Sequence, residues 1–502
     1  MSAAPEPPAP TSTAIAGFEN TFVEALAPLT VAWQGAEVPD PMLLIVNEDL
    51  AESLGLNVAA VRSDDGVAIL SGAASPADAT PVATAYAGHQ FGGYAPMLGD
   101  GRALLLGELI DTAGCRLDLQ LKGSGPTPFS RGGDGFAVVG PMLREYLVSE
   151  AMNALGIPTT RSLAVVATGR DVHRNGAEPG AVLARVAASH LRVGTFELAV
   201  RHPDLLRPLA DYAINRHYPE LVDLPEDGDR NRYLAFLETV IERQAALVAQ
   251  WMLVGFVHGV MNTDNTTISG ETIDYGPCAF IDAYDPDAVF SSIDHGGRYR
   301  LGNQPTALKW NLARFAEALL TLISPVPDDG IAAATAALNT FDDHYERYFA
   351  AGLKAKLGLA DNVTDGELLD DLLTLMHDHR ADWTGTFRAL GGELRGDSTA
   401  LDDLLPREAS ASWLDRWRTA LAERGVEETR IAVEMDTVNP VYIPRNHQLD
   451  DALRAATAGD LAPFHRLLDA VTHPYAPRDE WSDLVGPAPE SFSSGFRTFC
   501  GT

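Results

Sequence analysis

The sequence has few cysteines and few basic residues. Three cysteines in 502 residues, without C-x-x-C spacing, exclude a disulfide framework and make a zinc or iron–sulfur site a poor fit. Lys and Arg total 37 against 69 Asp and Glu, which gives a formal charge of −32. A chain this acidic repels nucleic acid at long range, so we expect no nucleic-acid partner.

Long apolar runs and an N-terminal basic region are also missing. The first basic residue is Arg62, so neither a secretory signal nor a transit peptide is expected. The most apolar stretch, residues 245–261, is interrupted by Gln250 and His258 and is too short to span a bilayer. The sequence therefore predicts a cytoplasmic protein without a membrane partner.

Strand patterns come first along the chain and helical patterns follow. Residues 1–17, rich in Pro, Ala, Ser and Thr, are predicted to be disordered. A strand-rich part is predicted over 18–195, a helical part over 196–330, and a helical extension with a tail over 331–502. This order predicts an α+β fold with two lobes.

Local patterns locate the main elements near the junction. The Gly-dense stretch 86–102 is predicted to be irregular loop, and the runs 103–110 and 117–122 form a predicted hairpin. In the second run, Lys122 lies opposite the leucine face. A helix is predicted from Pro141 to Leu155, because apolar residues recur every four positions and Gly156 follows.

The first half of a phosphate-handling pattern lies in this region. A turn containing Gly99 and Gly101 would let backbone amides approach phosphate oxygens. Lys122 on the strand offers a positive charge, and Glu145 on the following helix is placed to hold it by an ion pair. Protein kinases show the same order of glycine turn, strand lysine and helix glutamate.

The second half lies far downstream, in HGVMNTDN (258–265) and DYG (274–276). His258 and Asn265 match the ends of a kinase catalytic loop, and Asp274 matches the metal-binding Asp of D-F-G. Oxygen ligands from Asn265 and Asp274 suit Mg²⁺, although they do not exclude Mn²⁺. The catalytic Asp of a kinase would fall at Val260, whereas Asp264 supplies a carboxylate at an unusual place.

Three functions remain open on this pattern. One is transfer of a nucleotidyl group, the second is a conventional kinase that transfers the γ-phosphate with Asp264 as a displaced base, and the third is a catalytically silent ATP-binding pseudokinase. The products distinguish the first two, because a kinase releases ADP and a nucleotidyltransferase releases pyrophosphate.

Long runs of the sequence closely resemble the selenoprotein O family. The resemblance is carried by residues 86–102, 119–163, 179–197, 258–286, 291–312 and 439–447. It implies a protein-kinase-like, two-lobed pseudokinase fold with an N-terminal decoration and a helical C-terminal extension. It also implies that ATP binds in a flipped orientation and that AMP is transferred to Ser, Thr or Tyr hydroxyls of proteins.

The resemblance implies roles for individual residues. Asp264 would accept the proton of the acceptor hydroxyl, and Asn265 and Asp274 would bind Mg²⁺. The implied nucleotide-binding residues are Gly99, Gly101, Arg102, Lys122, Asp134, Gly135, Glu145, Arg185, Arg192 and Asp274. Cys500 matches the place of a C-terminal cysteine or selenocysteine in the family, but Ser291 and Ser292 stand where some relatives have a partner cysteine, so the sequence does not assign Cys500 a redox role. The resemblance implies that the acceptors are redox-related proteins. We expect the protein to be a monomer.

Overall fold

The computed structural model describes residues 13–174, 176–226, 228, 231–360 and 366–499. The strands are β1 Thr30–Ala32, β2 Met42–Val46, β3 Val82–Thr84, β4 Gly88–Gln90, β5 Gly93–Ala95, β6 Ala103–Ile110, β7 Arg116–Lys122, β8 Ala137–Val138, β9 Arg161–His173, β10 Ala177–Ala187, β11 Phe256–Val257 and β12 Ala279–Phe280. The helices are α1 Thr21–Ala25, α2 Glu48–Ser53, α3 Val58–Val61, α4 Asp64–Ser71, α5 Val139–Ala154, α6 Val193–Ala199, α7 Pro203–His217, α8 Arg232–Leu253, α9 Gln304–Ile323, α10 Pro327–Lys356, α11 Gly366–Asp378, α12 Trp383–Leu394, α13 Thr399–Leu404, α14 Arg407–Ala422, α15 Glu428–Asp436, α16 Asn446–Thr457, α17 Ala462–Val471 and α18 Glu490–Ser493. This mixture of helices and sheet confirms the predicted α+β class.

The N-terminal part is built on an eight-stranded antiparallel sheet. Its strand order is β1-β3-β6-β7-β10-β9-β2, and β8 pairs with β10. The predicted hairpin of β6 and β7 is confirmed, with Ala103 opposite Lys122. Between β7 and β10, Lys122 lies opposite Leu183 and Gln120 opposite Arg185. Because alternate residues of a strand share a face, this register places Lys122 and Arg185 on one face of the sheet.

Both faces of this sheet are covered. Leu119 and Leu121 pack with the apolar residues of α2, α3 and α4, which explains the leucine face of β7. The opposite face meets α5, and Lys122 is only 5% exposed there. The alternation of β7 therefore separates two buried environments, because the polar side chains of this strand face an internal site.

Helix α5 is confirmed close to its predicted bounds. It begins at Val139, two residues before Pro141, and a left-handed Gly156 follows its C-terminal end. Its inner residues pack against β9 and β10, and its outer residues contact α16 and α17 of the C-terminal extension. The extension thus braces the helix that carries Glu145, with the rings of Tyr146 and Phe464 6.4 Å apart.

The rest of the chain is mainly helical, as predicted. Helix α8 lies against α9 and α10, and a second hydrophobic core forms around Trp383, Phe387, Trp413 and Trp417. Among the described residues, no helix is both long and apolar enough to cross a membrane.

The structure corrects two details of the N-terminal part. The stretch 86–102 is not entirely irregular, because β4 and β5 form a small hairpin within it. Of the segment predicted to be disordered, residues 1–12 lie outside the described residues, but Ile15 is fully buried. It packs in the core formed with α2, α3 and α4, so ordered packing begins before residue 18.

Candidate active site

A cavity of about 480 Å³ lies where the sheet, α5 and the loops that precede β12 meet. All the site residues predicted from the sequence line this cavity: Gly99, Gly101, Arg102, Lys122, Asp134, Gly135, Glu145, Arg185, Arg192, Asp264, Asn265 and Asp274. The structure therefore brings the two separated halves of the predicted motif into one place.

The glycine turn is held by the loop that packs on it. A Cβ atom on Gly99 would lie 2.5 Å from the ring of Phe129, and one on Gly101 would lie 2.9 Å from the Phe129 carbonyl oxygen. Asp100 anchors the turn, because its carboxylate accepts hydrogen bonds from the backbone N–H and hydroxyl of Thr84. Close approach of the 127–136 loop thus requires glycine here, in addition to any contact with phosphate.

A buried network of charges forms the floor of the cavity. Lys122 Nζ lies 2.6 Å from Glu145 Oε2 and 2.5 Å from Asp274 Oδ1. Arg185 Nη1 contacts the same two carboxylates, at 3.0 Å from Glu145 Oε1 and 2.7 Å from Asp274 Oδ1. Arg192 Nη1 lies 3.6 Å from Asp274 Oδ2. The predicted ion pair of Lys122 and Glu145 is confirmed, and Asp274 joins it to the arginines.

This network sets the charge state of Asp274. Burial by itself would raise the pKa of Asp274, but the adjacent Lys122, Arg185 and Arg192 cations hold it well below its usual range. The backbone of Asp274 adopts a left-handed conformation with φ of 64°. A non-glycine residue in this region is strained, and such strain is concentrated at functional sites.

Asp264 lies beside this network but in a different environment. Its Oδ2 accepts a 3.4 Å hydrogen bond from Gln90 Nε2, whereas its buried Oδ1 has no hydrogen-bond partner among the described residues. Arg192 Nη1 donates to the Asp264 backbone oxygen at 2.8 Å. Burial raises the pKa of Asp264 to about 6, against the opposing effect of Arg192. Asp264 is thus suited to accept a proton near neutral pH.

The small hairpin of β4 and β5 holds the loop that carries Asp264. The Glu197 carboxylate on α6 hydrogen-bonds His89 Nδ1 and also accepts from the Thr263 hydroxyl. The Thr263 hydroxyl in turn accepts from the His89 backbone N–H at 2.6 Å. Sequence analysis missed His89, Gln90, Glu197 and Thr263, because only tertiary contacts connect positions so far apart in the chain. The Gly-dense composition of residues 86–102 was the one available signal.

Asp134 and Arg102 occupy the outer part of the cavity. Asp134 forms two hydrogen bonds of 2.8 and 3.0 Å with Arg174, and this contact lowers its pKa. Arg174 also lines the cavity and was not predicted. Arg102 Nη1 is buried without a hydrogen-bond partner among the described residues, so it can bind an anion.

The side-chain oxygens of Asn265 and Asp274 are suitable ligands for a divalent cation. Asn265 Nδ2 donates to the Val260 carbonyl oxygen at 2.9 Å, so its amide oxygen is the atom available as a ligand. Within the described ranges, no group of three or more His, Cys, Asp or Glu could hold a metal. Mg²⁺ needs only one or two protein oxygens when nucleotide phosphates and water complete its shell, so this donor set is sufficient.

His258 and Val260 complete the comparison with a kinase loop. His258 Nε2 lies 2.8 Å from the Ile273 carbonyl oxygen, so His258 connects the loop that leads to Asp264 with the segment that leads to Asp274. This buried hydrogen bond gives His258 a structural role. Val260 lines the cavity and has no ionisable group. Cys500 lies outside the described residues.

Comparison with known proteins identifies the family of this chain. A family model described as "Protein adenylyltransferase SelO" matches residues 15–472. The chain belongs to the SelO family. The chain is 69% identical over 502 residues to "Protein nucleotidyltransferase YdiU" of Rhodococcus jostii (strain RHA1), which covers 100% of this chain and 98% of the relative. Relatives with the same name are 54% identical in Mycolicibacterium smegmatis, over 98% of this chain and 99% of the relative, and 55% identical in Cereibacter sphaeroides (ATCC 17023), over 97% and 99%.

Membership of the SelO family confirms the resemblance predicted from the sequence. It also confirms the predicted enzyme class, a protein nucleotidyltransferase. This enzyme class implies that one substrate is a nucleotide and that the acceptors are proteins.

Proposed function

We propose that this SelO-family enzyme transfers AMP from ATP to Ser, Thr or Tyr hydroxyls of proteins and releases pyrophosphate. The observation that carries the proposal is the position of Asp264, a carboxylate with a raised pKa beside a buried cationic cluster. The position that a kinase would use for its base is occupied by Val260. An acceptor hydroxyl at Asp264 would therefore approach the nucleotide from a place other than the kinase base position.

The proposed fold is protein-kinase-like and two-lobed. Its support is the pairing of a lysine on the central strand β7 with a glutamate on α5, followed by Asn265 and Asp274 in the helical part. The proposed lobes are residues 18–195 and 196–330, with the extension over 331–502.

In the proposed reaction, the acceptor oxygen attacks the α-phosphorus of ATP. The bond between the α-phosphorus and the bridging oxygen of the β-phosphate breaks, and pyrophosphate leaves. Asp264 takes the proton of the acceptor hydroxyl. Lys122, Arg185 and Arg192 lie together at this site, so they would supply positive charge and hydrogen-bond donors to the leaving pyrophosphate.

Asn265 and Asp274 would hold the divalent cation, Mg²⁺ or Mn²⁺, and such a cation neutralises charge on the phosphates when it is bound. Arg102 and the amides of the Gly99 turn would contact other oxygens of the nucleotide. The left-handed backbone of Asp274 keeps its carboxylate fixed between the three cations.

The proposal is tested with ATP labelled at either the α- or the γ-phosphate, Mg²⁺ and a generic protein acceptor. We expect label in protein only from the α position, and we expect it to disappear in Asp274→Ala. The matched control is Asp451→Ala, which removes an aspartate whose side chain is 72% exposed on α16. Label from the γ position alone would establish a kinase, and ATP binding without any label would favour a silent pseudokinase.

The activity is expected to fall as the pH decreases through about 6, the pKa to which burial raises Asp264. The sign follows from the role of this carboxylate, because only its ionised form accepts a proton. The measurement is kcat/KM for AMP transfer between pH 5 and 8, because the pH dependence of kcat/KM reports the pKa values of groups in the free enzyme. ATP-induced thermal stabilisation over the same range is the control, and a flat kcat/KM profile would contradict Asp264 as the base.

A further inference from the structure

A cluster of aromatic rings in tilted and edge-to-face contact includes the hairpin of β4 and β5, whose Gln90 and Phe91 line the active-site cavity. The hairpin of β4 and β5 contributes His89 and Tyr94, whose rings are 4.9 Å apart. Trp310 on α9 continues the series at 5.2 Å from His89. These rings form a continuous face next to the loop that carries Asp264.

Guanidinium groups lie on both ends of this face. Arg201 is 4.5 Å from the ring centroid of Tyr94, and Arg298 is 4.8 Å from that of Trp310. Arg314 also lies over Trp310, but it forms an ion pair with Glu317. No carboxylate of the described residues forms an ion pair with Arg201 or Arg298, and Arg298 Nε is buried without a hydrogen-bond partner there. Two cations without an ion pair among the described residues thus lie at the two ends of this face, in a chain with a formal charge of −32.

Apolar side chains connect this face to the active-site cavity. Phe91 is 36% exposed and Ile293 is 49% exposed, and both line the cavity. The Phe91 ring lies 5.0 Å from Tyr299, and its backbone N–H donates to Asn262 in the Asp264 loop at 3.0 Å. These two side chains thus give the cavity that contains Asp264 an exposed apolar rim.

We propose that Phe91, Ile293, Arg201, Arg298 and Trp310 form an arginine–aromatic surface that docks an acidic segment of the protein acceptor. Ring faces hold the guanidinium planes, and guanidinium N–H groups without an ion pair suit carboxylates. The apolar rim fits an apolar residue next to the modified hydroxyl. This inference rests on the proposed function and deepens it, because it assigns a preference for acceptors with Asp or Glu near the target residue.

Peptide binding tests the surface independently of catalysis. We would use fluorescence anisotropy to measure the affinity of the protein for a labelled peptide with one tyrosine flanked by leucine and glutamates. Matched peptides would carry glutamine or lysine in place of glutamate. The full-length protein is expected to bind the glutamate peptide at least about fivefold more tightly than the glutamine peptide. Equal affinity for the glutamate and glutamine peptides would overturn the proposal.

Single substitutions test whether the peptide binds at the arginine–aromatic surface. Arg298→Gln and Arg201→Gln are each expected to abolish most of the preference for glutamate. Arg430→Gln, which changes an arginine on α15 whose side chain is 75% exposed, is expected to retain it. Arg201 is exposed, so Arg201→Gln remains a valid test if loss of the partly buried Arg298 impairs folding. An equal loss in all three variants would mean a non-specific charge effect and would overturn the surface.

AMP transfer to the same peptides separates this inference from the proposed function. Transfer from α-labelled ATP without preference for glutamate would overturn the surface and leave the proposed function intact. Glutamate-dependent binding that Arg201→Gln removes, without any AMP transfer, would support the surface and contradict the proposed function.

Discussion

Replacing Asp264 with asparagine is expected to lower the rate of AMP transfer by about 10²–10⁴-fold, the usual contribution of a general base. Asparagine has nearly the same shape but cannot accept the proton of the acceptor hydroxyl. The variant should be at least as stable as the wild type at neutral pH, because burial disfavours the charged form of Asp264. Activity and thermal unfolding would be measured on the same preparation.

Two results would identify the source of the loss. ATP-induced stabilisation should be retained in Asp264→Asn, because the neighbouring Lys122, Arg185 and Arg192 are unchanged. Asp451→Asn on α16 is the control and should have wild-type activity, since its side chain is exposed. A rate within about threefold of the wild type, against the loss expected of a base, would assign the proton to another acceptor.

Replacing Arg445 with methionine is expected to cost about 3–5 kcal/mol of unfolding free energy, because it leaves the buried Asp382 carboxylate and the partly buried Asp282 carboxylate without their cation. Arg445 is 2% exposed and lies 2.6 Å from Asp282 and 2.5 Å from Asp382. It also donates to the Val485 carbonyl oxygen at 3.1 Å. The contact with Asp282 joins the C-terminal extension to a residue that closely follows β12, whereas Asp382 and Val485 lie within the extension.

Arg454→Met is the matched control for this measurement. Arg454 lies on α16 and has two carboxylate partners, Asp450 and Asp451, but its side chain is 69% exposed. Exposed ion pairs contribute roughly 0–1 kcal/mol, so chemical denaturation should separate the two variants clearly. Equal unfolding free energies for Arg445→Met and Arg454→Met would show that the buried pair does not hold the extension.

The sequence predicted the helices and strands well where the apolar residues followed one clear period. The hairpin of β6 and β7 and the helix α5 followed from alternation and from the four-residue apolar repeat. The outer ends of the strands β9 and β10 pair with each other in a hairpin, which depends on contacts between the two strands. The hairpin of β4 and β5 was missed, because its glycines carry no side-chain pattern from which to predict a strand.

The residue types and order of the candidate site were also readable from the sequence, but their environments were not. Arg185 and Arg192 look like surface charges by themselves, yet they are 3% and 2% exposed. Their burial depends on Asp274, which lies far along the chain and offers the compensating carboxylate. Arg174 escaped prediction for the same reason, because its partner Asp134 lies 40 positions away.

By itself, the sequence determined the class of fold, the order of the phosphate-handling residues and the absence of a kinase base at Val260. These properties depend on residue identity, local periodicity and chain order. Only the tertiary structure decided that Asp264 has an unpartnered buried oxygen and a raised pKa, whereas Asp274 is ionised among three cations. The physical reason is that desolvation and Coulomb interactions depend on neighbours in space, and Gln90, the neighbour of Asp264, lies 174 positions away.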